Sequence, residues 1–268
     1  MAVSKGTQEY LIESEKIVAF GVSHSDDEMR TALCGDVYDK LYDIKECVEI
    51  AEKLEDTGFD HAFIMEKLFS IKSKEDWEIG EAYAQAYAES NLNSTIPWGI
   101  SRDLKKPGSS LPGADIIGLY EDEAGIRFLF GEIKTSSQKE YPPSVMYGEH
   151  GLKKQLEDLC QDEEIYKTLV KYLAYRLKKS DIWNKYQQAF KQYLESNGSK
   201  VHVLGVLVRD VEPKKEDLEG RAQKLEQFVV NGRSIELVGI YVPVDAISDF
   251  TQIVNEECER RSISDAKQ

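Results

Sequence analysis

The order of apolar segments along the 268 residues predicts an α/β fold with a mixed central β-sheet flanked by helices. Three observations carry this. Val201 to Val208 is continuously apolar, and so is Ile235 to Val242, the character of strands buried on both faces. The segment between them, around Asp217 to Val229, reads as a helix. Upstream, Leu111 to Ser137 reads as two strands joined by a tight turn: Ile116 to Tyr120 is β-prone, Asp122 to Gly125 supplies turn residues, and Ile126 to Phe130 resumes the apolar run.

The remaining elements follow in order. Ile17 to Val22 is an opening strand candidate, and Val37, Leu41, Ile44, Val48 and Ala51 recur at the spacing of one amphipathic helix through Val37 to Leu54. Residues 1–70 hold no catalytic spacing and read as an N-terminal scaffold or partner-binding region, residues 71–262 as the main core. Ser73 is placed to cap a helix reaching about Glu89, with Glu75 and Asp76 in its first turn. On that helix Trp77, Glu81, Ala84 and Ala88 share a stripe, so Glu81 sits among apolar or small neighbours and needs a partner. A connector follows from Asn91 to Leu111, broken by Pro97, Pro107 and Gly108, with Ile96 to Ile100 as a short edge strand. After the hairpin, Gly151 to Cys160 reads as a helix with Leu152, Leu156 and Leu159 on its buried stripe and Gln155 beside them. Residues 161–196 read as one or two helices that extend the core, and from about Ser262 the tail is polar.

Composition narrows the class. Hydrophobic content of 41% with 10% aromatics suffices for a sizeable core. No run approaches the ~20 apolar residues of a membrane span, which predicts a cytoplasmic protein without membrane contact. Cys34, Cys47, Cys160 and Cys258 form no CxxC pair, which argues against a zinc site or a disulfide framework; His24, His61, His150 and His202 are isolated in sequence. The net charge of −15 is unlike that of a protein that grips nucleic acid unaided. Asp26-Asp27-Glu28 and Asp162-Glu163-Glu164 read as solvated acidic faces. Basic residues nevertheless cluster around the hairpin: Arg102, Lys105 and Lys106 before it, Lys153 and Lys154 after it, then Lys171, Arg176, Lys178 and Lys179. They either line one groove or stand on separate exposed helix faces. Arg102 has the same two readings, a phosphate contact or a salt bridge to an acid.

The chemistry concentrates in the hairpin. Side chains alternate along a strand, so Ile126, Phe128, Phe130, Glu132 and Lys134 share one face, while Arg127, Leu129 and Ile133 point to the other. A carboxylate and an amine thus emerge together beyond three apolar residues, with Asp115 on the neighbouring strand. Oxygen ligands of this kind suit Mg²⁺ or Mn²⁺.

Pro112-Gly113-Ala114-Asp115 followed by Gly131-Glu132-Ile133-Lys134 resembles the PD-(D/E)xK nuclease superfamily, whose pattern is Pro-Asp, a strand turn, then an acid, any residue and Lys. Gly113 and Ala114 separate the Pro from the Asp, a departure that bears on Pro112 more than on Asp115. Acid-x-Lys triplets also start at Asp43, Asp103, Glu212 and Asp265, but none ends an apolar strand that follows an Asp-bearing one. The resemblance implies a restriction-endonuclease-like core that hydrolyses phosphodiester bonds. It implies Mg²⁺ or Mn²⁺ on Asp115, Glu132 and the carbonyl of Ile133, Lys134 beside the attacking water, Glu81 on the metal directly or through water, and Gln155 close to the scissile phosphate, with Lys153 or Lys154 as its substitutes. Within the superfamily the chain resembles the nuclease-subunit family of the Hachiman anti-phage defence system, HamA, through GEAYA, WGISRDLKKPGSSLPGADIIG and GEIK, all within residues 80–134. That resemblance implies a helicase partner that senses DNA and restrains or releases the nuclease. A stand-alone restriction endonuclease is the second reading, and a non-catalytic protein-interaction module the third.

Overall fold

The computed structural model describes residues 2–12, 14, 16–69, 72–99, 102, 113–230 and 232–265, the last four as backbone alone. Its centre is a seven-stranded sheet in the order β1-β2-β7-β6-β5-β4-β3. Strand β4 (Ile116–Asp122) turns through Glu123 and Ala124 into the long β5 (Gly125–Ser136), as the apolar-turn-apolar pattern requires. Asp122 Oδ1 accepts the Ala124 N–H at 2.9 Å, and Gly125 takes φ 109°, a backbone conformation open to glycine. β5 pairs in parallel with β6 (Val201–Arg209), and β6 in parallel with β7 (Ser234–Tyr241).

The sequence places residues 1–70 outside the main core, yet two of their segments join this sheet. β2 (Ile17–Ser23) pairs in parallel with β7, and β1 (Thr7–Ile12) lies antiparallel to β2. At the opposite edge, β3 is Ser94–Thr95 on β4, so the edge strand falls just before the expected Ile96; Ile100 lies outside the described residues.

Helices cover both faces, and strand alternation sorts the core between them. Leu129, Ile133, Leu204, Val206, Val238 and Ile240 pack with α1 (Asp26–Cys34), α2 (Asp36–Tyr42), α5 (Asp76–Asn91) and α10 (Phe250–Asp265). Phe128, Phe130, Val203, Leu207 and Leu237 pack with α6 (Leu152–Gln161), α7 (Glu163–Leu177), α8 (Trp183–Glu195) and α9 (Glu219–Leu225). The two expected helices of 161–196 are α7 and α8. No described helix is long and apolar enough to cross a membrane, and the four cysteines are free.

Several expectations need correction. The single helix expected from Val37 to Leu54 is two, because Asp43 takes the left-handed conformation (φ 51°) that ends α2 before α3 (Ile44–Leu54) begins. Asp26 and Asp27 are exposed as expected, in the first turn of α1, where Ser25 and Glu28 also make a reciprocal capping box. Glu75, not Ser73, caps α5, pairing with Glu78, while the Ser73 hydroxyl accepts from Asn255 at 3.3 Å. Trp77 is 48% exposed and stands apart from the buried Ala84 and Ala88. Helix α10, which carries no strong amphipathic stripe, runs into the segment read as a polar tail.

One buried network ties the C-terminal ends of the strands together. Arg209, fully buried on β6, donates to Asp217 Oδ1 at 2.8 Å and to the carbonyls of Gln138 and Glu140 in the chain that leaves β5. Asp217 Oδ2 accepts from the Tyr241 hydroxyl at 2.8 Å, which meets the Tyr10 hydroxyl at 2.8 Å. Removing one partner of a buried ion pair strands the other charge in the core, a cost of about 3–5 kcal/mol. Asp217→Ala is therefore expected to lower unfolding free energy by about that amount in urea titrations; a loss below about 1 kcal/mol contradicts this role for the network.

Candidate active site

The site arises because β5 outruns its partner. β4 begins opposite Gly131, with Ile116 as its first paired residue, so from Glu132 onward no described strand pairs with that edge of β5. A bare backbone donor at such an edge needs an acceptor. The Ile133 N–H finds one in Asp115 Oδ2, at 2.9 Å. Because the N–H and C=O of one strand residue point to the same side, the Ile133 carbonyl faces this edge as well. Asp115 is held from behind: Gln85, buried in α5, donates its Nε2 to the Asp115 carbonyl at 2.9 Å. Glu81 lies one turn earlier on the same face of α5.

Strand alternation carries Glu132 and Lys134 onto the α6 face, beyond Phe128 and Phe130. Glu132 is 1% exposed, its Oε2 has no hydrogen-bond partner, and the Lys134 ammonium stands 3.9 Å from it. Glu81 comes from a helix on the other face. The gap left by β4 lets carboxylates from both faces act on one another. Burial, then the charge of Asp115, pushes Glu81 up to about 8, with Lys134 pulling the other way. Glu132 is pushed up as well, first by burial and next by Asp115, again opposed by Lys134. Glu81 reaches this position because α5 runs very close to β5: a Cβ on Gly80 would lie 2.1 Å from the Thr135 hydroxyl oxygen.

The structure thus brings together Asp115, Glu132, Ile133, Lys134 and Glu81. Gln155 lies on α6, which packs on β5, and its Oε1 is buried without a partner; no hydrogen bond among the described residues joins it to the acids. Its two expected substitutes are engaged elsewhere: Lys153 stands 3.6 Å from Glu157, and Lys154 pairs with Asp158. Arg102 is bound to Asp43 and, at 3.1 Å, to Glu46, the salt-bridge reading of that residue. Pro112, Lys105 and Lys106 lie outside the described residues. His24 is a structural residue, held between the Tyr83 hydroxyl at 2.8 Å and the Ser4 carbonyl at 3.0 Å. Sequence reading missed Gln85 and Gly80. The available signal was a lone amide in the otherwise small and apolar AYAQAYA run, one turn from Glu81, and a glycine inside a helix.

The donors suit a hard divalent cation: a second oxygen on Asp115, the unpartnered Glu132 Oε2 and the Ile133 carbonyl. Among the described residues no three His, Cys, Asp or Glu side chains converge closely enough to enclose a metal ion. No known family model matches the chain, and a search of curated proteins finds no relative.

The crowded acids fix a pH dependence. Both pKa values are raised on folding, so the stabilising neutral forms are fully present below the ordinary glutamate value of 4.5 and are lost as pH rises through the raised value, about 8 for Glu81. In EDTA, unfolding free energy is expected to fall between about pH 5 and about pH 9, and Glu81→Gln with Glu132→Gln to flatten that fall. Parallel pH profiles for variant and wild type would show that the acids are not crowded in solution.

Proposed function

We propose that this chain is a metal-dependent DNA nuclease, a phosphodiester hydrolase that serves an anti-phage defence system under the control of a helicase partner. The observation that supports this best is the open edge of β5, where Asp115, Glu132, the Ile133 carbonyl and Glu81 converge with one ammonium, Lys134. Mg²⁺ or Mn²⁺ held by these oxygens supplies Lewis-acid polarisation of the scissile phosphate and acidifies a water molecule. The Lys134 ammonium, 3.9 Å from Glu132, would orient the attacking water, and the proton lost by that acidified water would pass to a nearby carboxylate or to solvent. Asp115 is fixed on two sides, by the Ile133 N–H and by Gln85, so its carboxylate is preorganised beside Glu132. Gln155 would approach the phosphate from α6.

Control by a partner follows from charge. With 49 acids against 34 lysines and arginines, the chain as a whole repels the phosphate backbone, so a DNA-translocating or DNA-sensing protein has to deliver or release it. This favours the partner-controlled enzyme over a stand-alone restriction endonuclease.

In a cleavage assay with Mg²⁺ or Mn²⁺, Asp115→Ala, Glu132→Ala and Lys134→Ala are each expected to lower the rate at least about 100-fold with the circular dichroism spectrum unchanged. Glu81→Ala gives a smaller loss, because its contact with the metal would run through water. Lys134→Ala cleaving as fast as wild type contradicts the nuclease reading. Tight, sequence-specific duplex binding by the chain alone near physiological salt would favour the stand-alone enzyme instead.

A further inference from the structure

The charge argument leaves one question open, which is where a chain so acidic touches nucleic acid at all. Most lysines in the layer formed by α6, α7 and α8 are neutralised: Lys153 by Glu157, Lys154 by Asp158, Lys167 by Glu164, Lys185 by Glu121 and Lys191 by Glu195. Three are not. Lys171, Lys178 and Lys179 are exposed, and among the described residues none has an acid within ion-pair distance. The neighbouring Asp181 is exposed too and pairs with none of them.

An aromatic ring lies among these lysines. Lys171 and Tyr175 lie one turn apart on α7, and Lys178 and Lys179 follow in the turn just past its last residue, Leu177. Tyr175 is 66% exposed, and the Lys178 ammonium lies 5.9 Å from its ring centre. The opposite face of α7 is spent on the core through Leu169, Leu173 and Leu177. Compensation of the helix dipole accounts for a cation in the last turn, but not for Lys171 nearly two turns further in, nor for an exposed tyrosine between cations. Phosphates complement the lysines, and a base or sugar complements the ring.

The helix that carries them also passes close to the site. Leu169, on its buried face opposite the lysines, comes within 3.4 Å of where a Cβ on Gly113 would stand, two residues before Asp115. From Leu169 to Lys178 is about 14 Å along the helix at ~1.5 Å per residue, roughly four nucleotide steps at ~3.4 Å each. We propose that Lys171, Tyr175, Lys178 and Lys179 form a DNA-backbone contact on the outer side of the helix whose buried side packs near Gly113 and Asp115. This rests on the nuclease reading for its purpose but not for its test.

The test is a fluorescence-anisotropy titration of a labelled duplex, and of the same sequence as a single strand, into the full chain in EDTA at several salt concentrations. Three phosphate contacts predict that affinity for duplex falls about 40-fold between 50 and 200 mM salt. Lys171→Ala/Lys178→Ala/Lys179→Ala is expected to remove most of that dependence and at least tenfold of the low-salt affinity. Tyr175→Ala is expected to weaken single-strand binding, and Lys5→Ala/Lys53→Ala, remote exposed lysines, to change nothing. The unfolding midpoint should be unaltered in every variant, since all these side chains are exposed. A salt slope unchanged in the triple variant, or no binding by wild type at low salt, overturns the proposal. Binding through these residues without cleavage when metal is added contradicts the nuclease reading alone; cleavage with an unchanged slope contradicts the contact alone.

Discussion

The site depends on one hydrogen bond that replaces a missing piece of sheet. Because β4 starts opposite Gly131, β5 continues past it with a bare edge, and the Asp115 carboxylate satisfies the Ile133 N–H that a neighbouring strand would otherwise take. That substitution places an acid beside the alternating pair Glu132 and Lys134, and it opens the sheet so that Glu81, from the helix on the opposite face, acts on the same centre. A β4 longer by two residues would carry the pairing to Ile133 and close the gap there. The chemistry of this site is thus a consequence of where one strand begins.

The rest of the fold supports that edge. Gly80 allows α5 to approach Thr135, Gln85 fixes the backbone of Asp115, and Arg209 with Asp217 holds the chain that leaves β5. The structural acids and the site acids differ in how their charge is met. Asp217 has Arg209 and a tyrosine hydroxyl, and Glu257 has Arg260 and Arg261, so each buried charge is answered. Burial raises Asp217 too, against the pull of Arg209, but Glu81 and Glu132 share a single lysine with Asp115, whose charge adds to the effect of burial. Crowded carboxylates that share one lysine mark a functional site more often than a structural one.

The hairpin was legible because a period of two needs only local sequence: the alternation of Phe128, Phe130, Glu132 and Lys134 against Leu129 and Ile133 gives the observed faces. Val201 to Val208 and Ile235 to Val242 were legible as strands buried on both sides for the same reason. Features set by distant partners were not. Thr7–Ile12 has one buried residue and becomes a strand only by pairing with β2; α10 lacks a strong apolar stripe; the helix break at Asp43 depends on a left-handed residue that periodicity passes over. Gln85 bonds across 30 positions to a backbone carbonyl, which no local pattern reveals. The basic residues divided only in three dimensions, where each lysine either meets an acid or does not.

The most direct test of the central claim is calorimetric titration of Mn²⁺ into the metal-free chain and into Asp115→Asn/Glu132→Gln. Asparagine keeps an oxygen for the Ile133 N–H, so the double variant removes charge while preserving the edge. The account predicts one saturable site in wild type whose affinity falls at least about tenfold, roughly 1.4 kcal/mol, in the variant. Equal affinity in the two proteins would mean that these carboxylates do not gather to hold a cation.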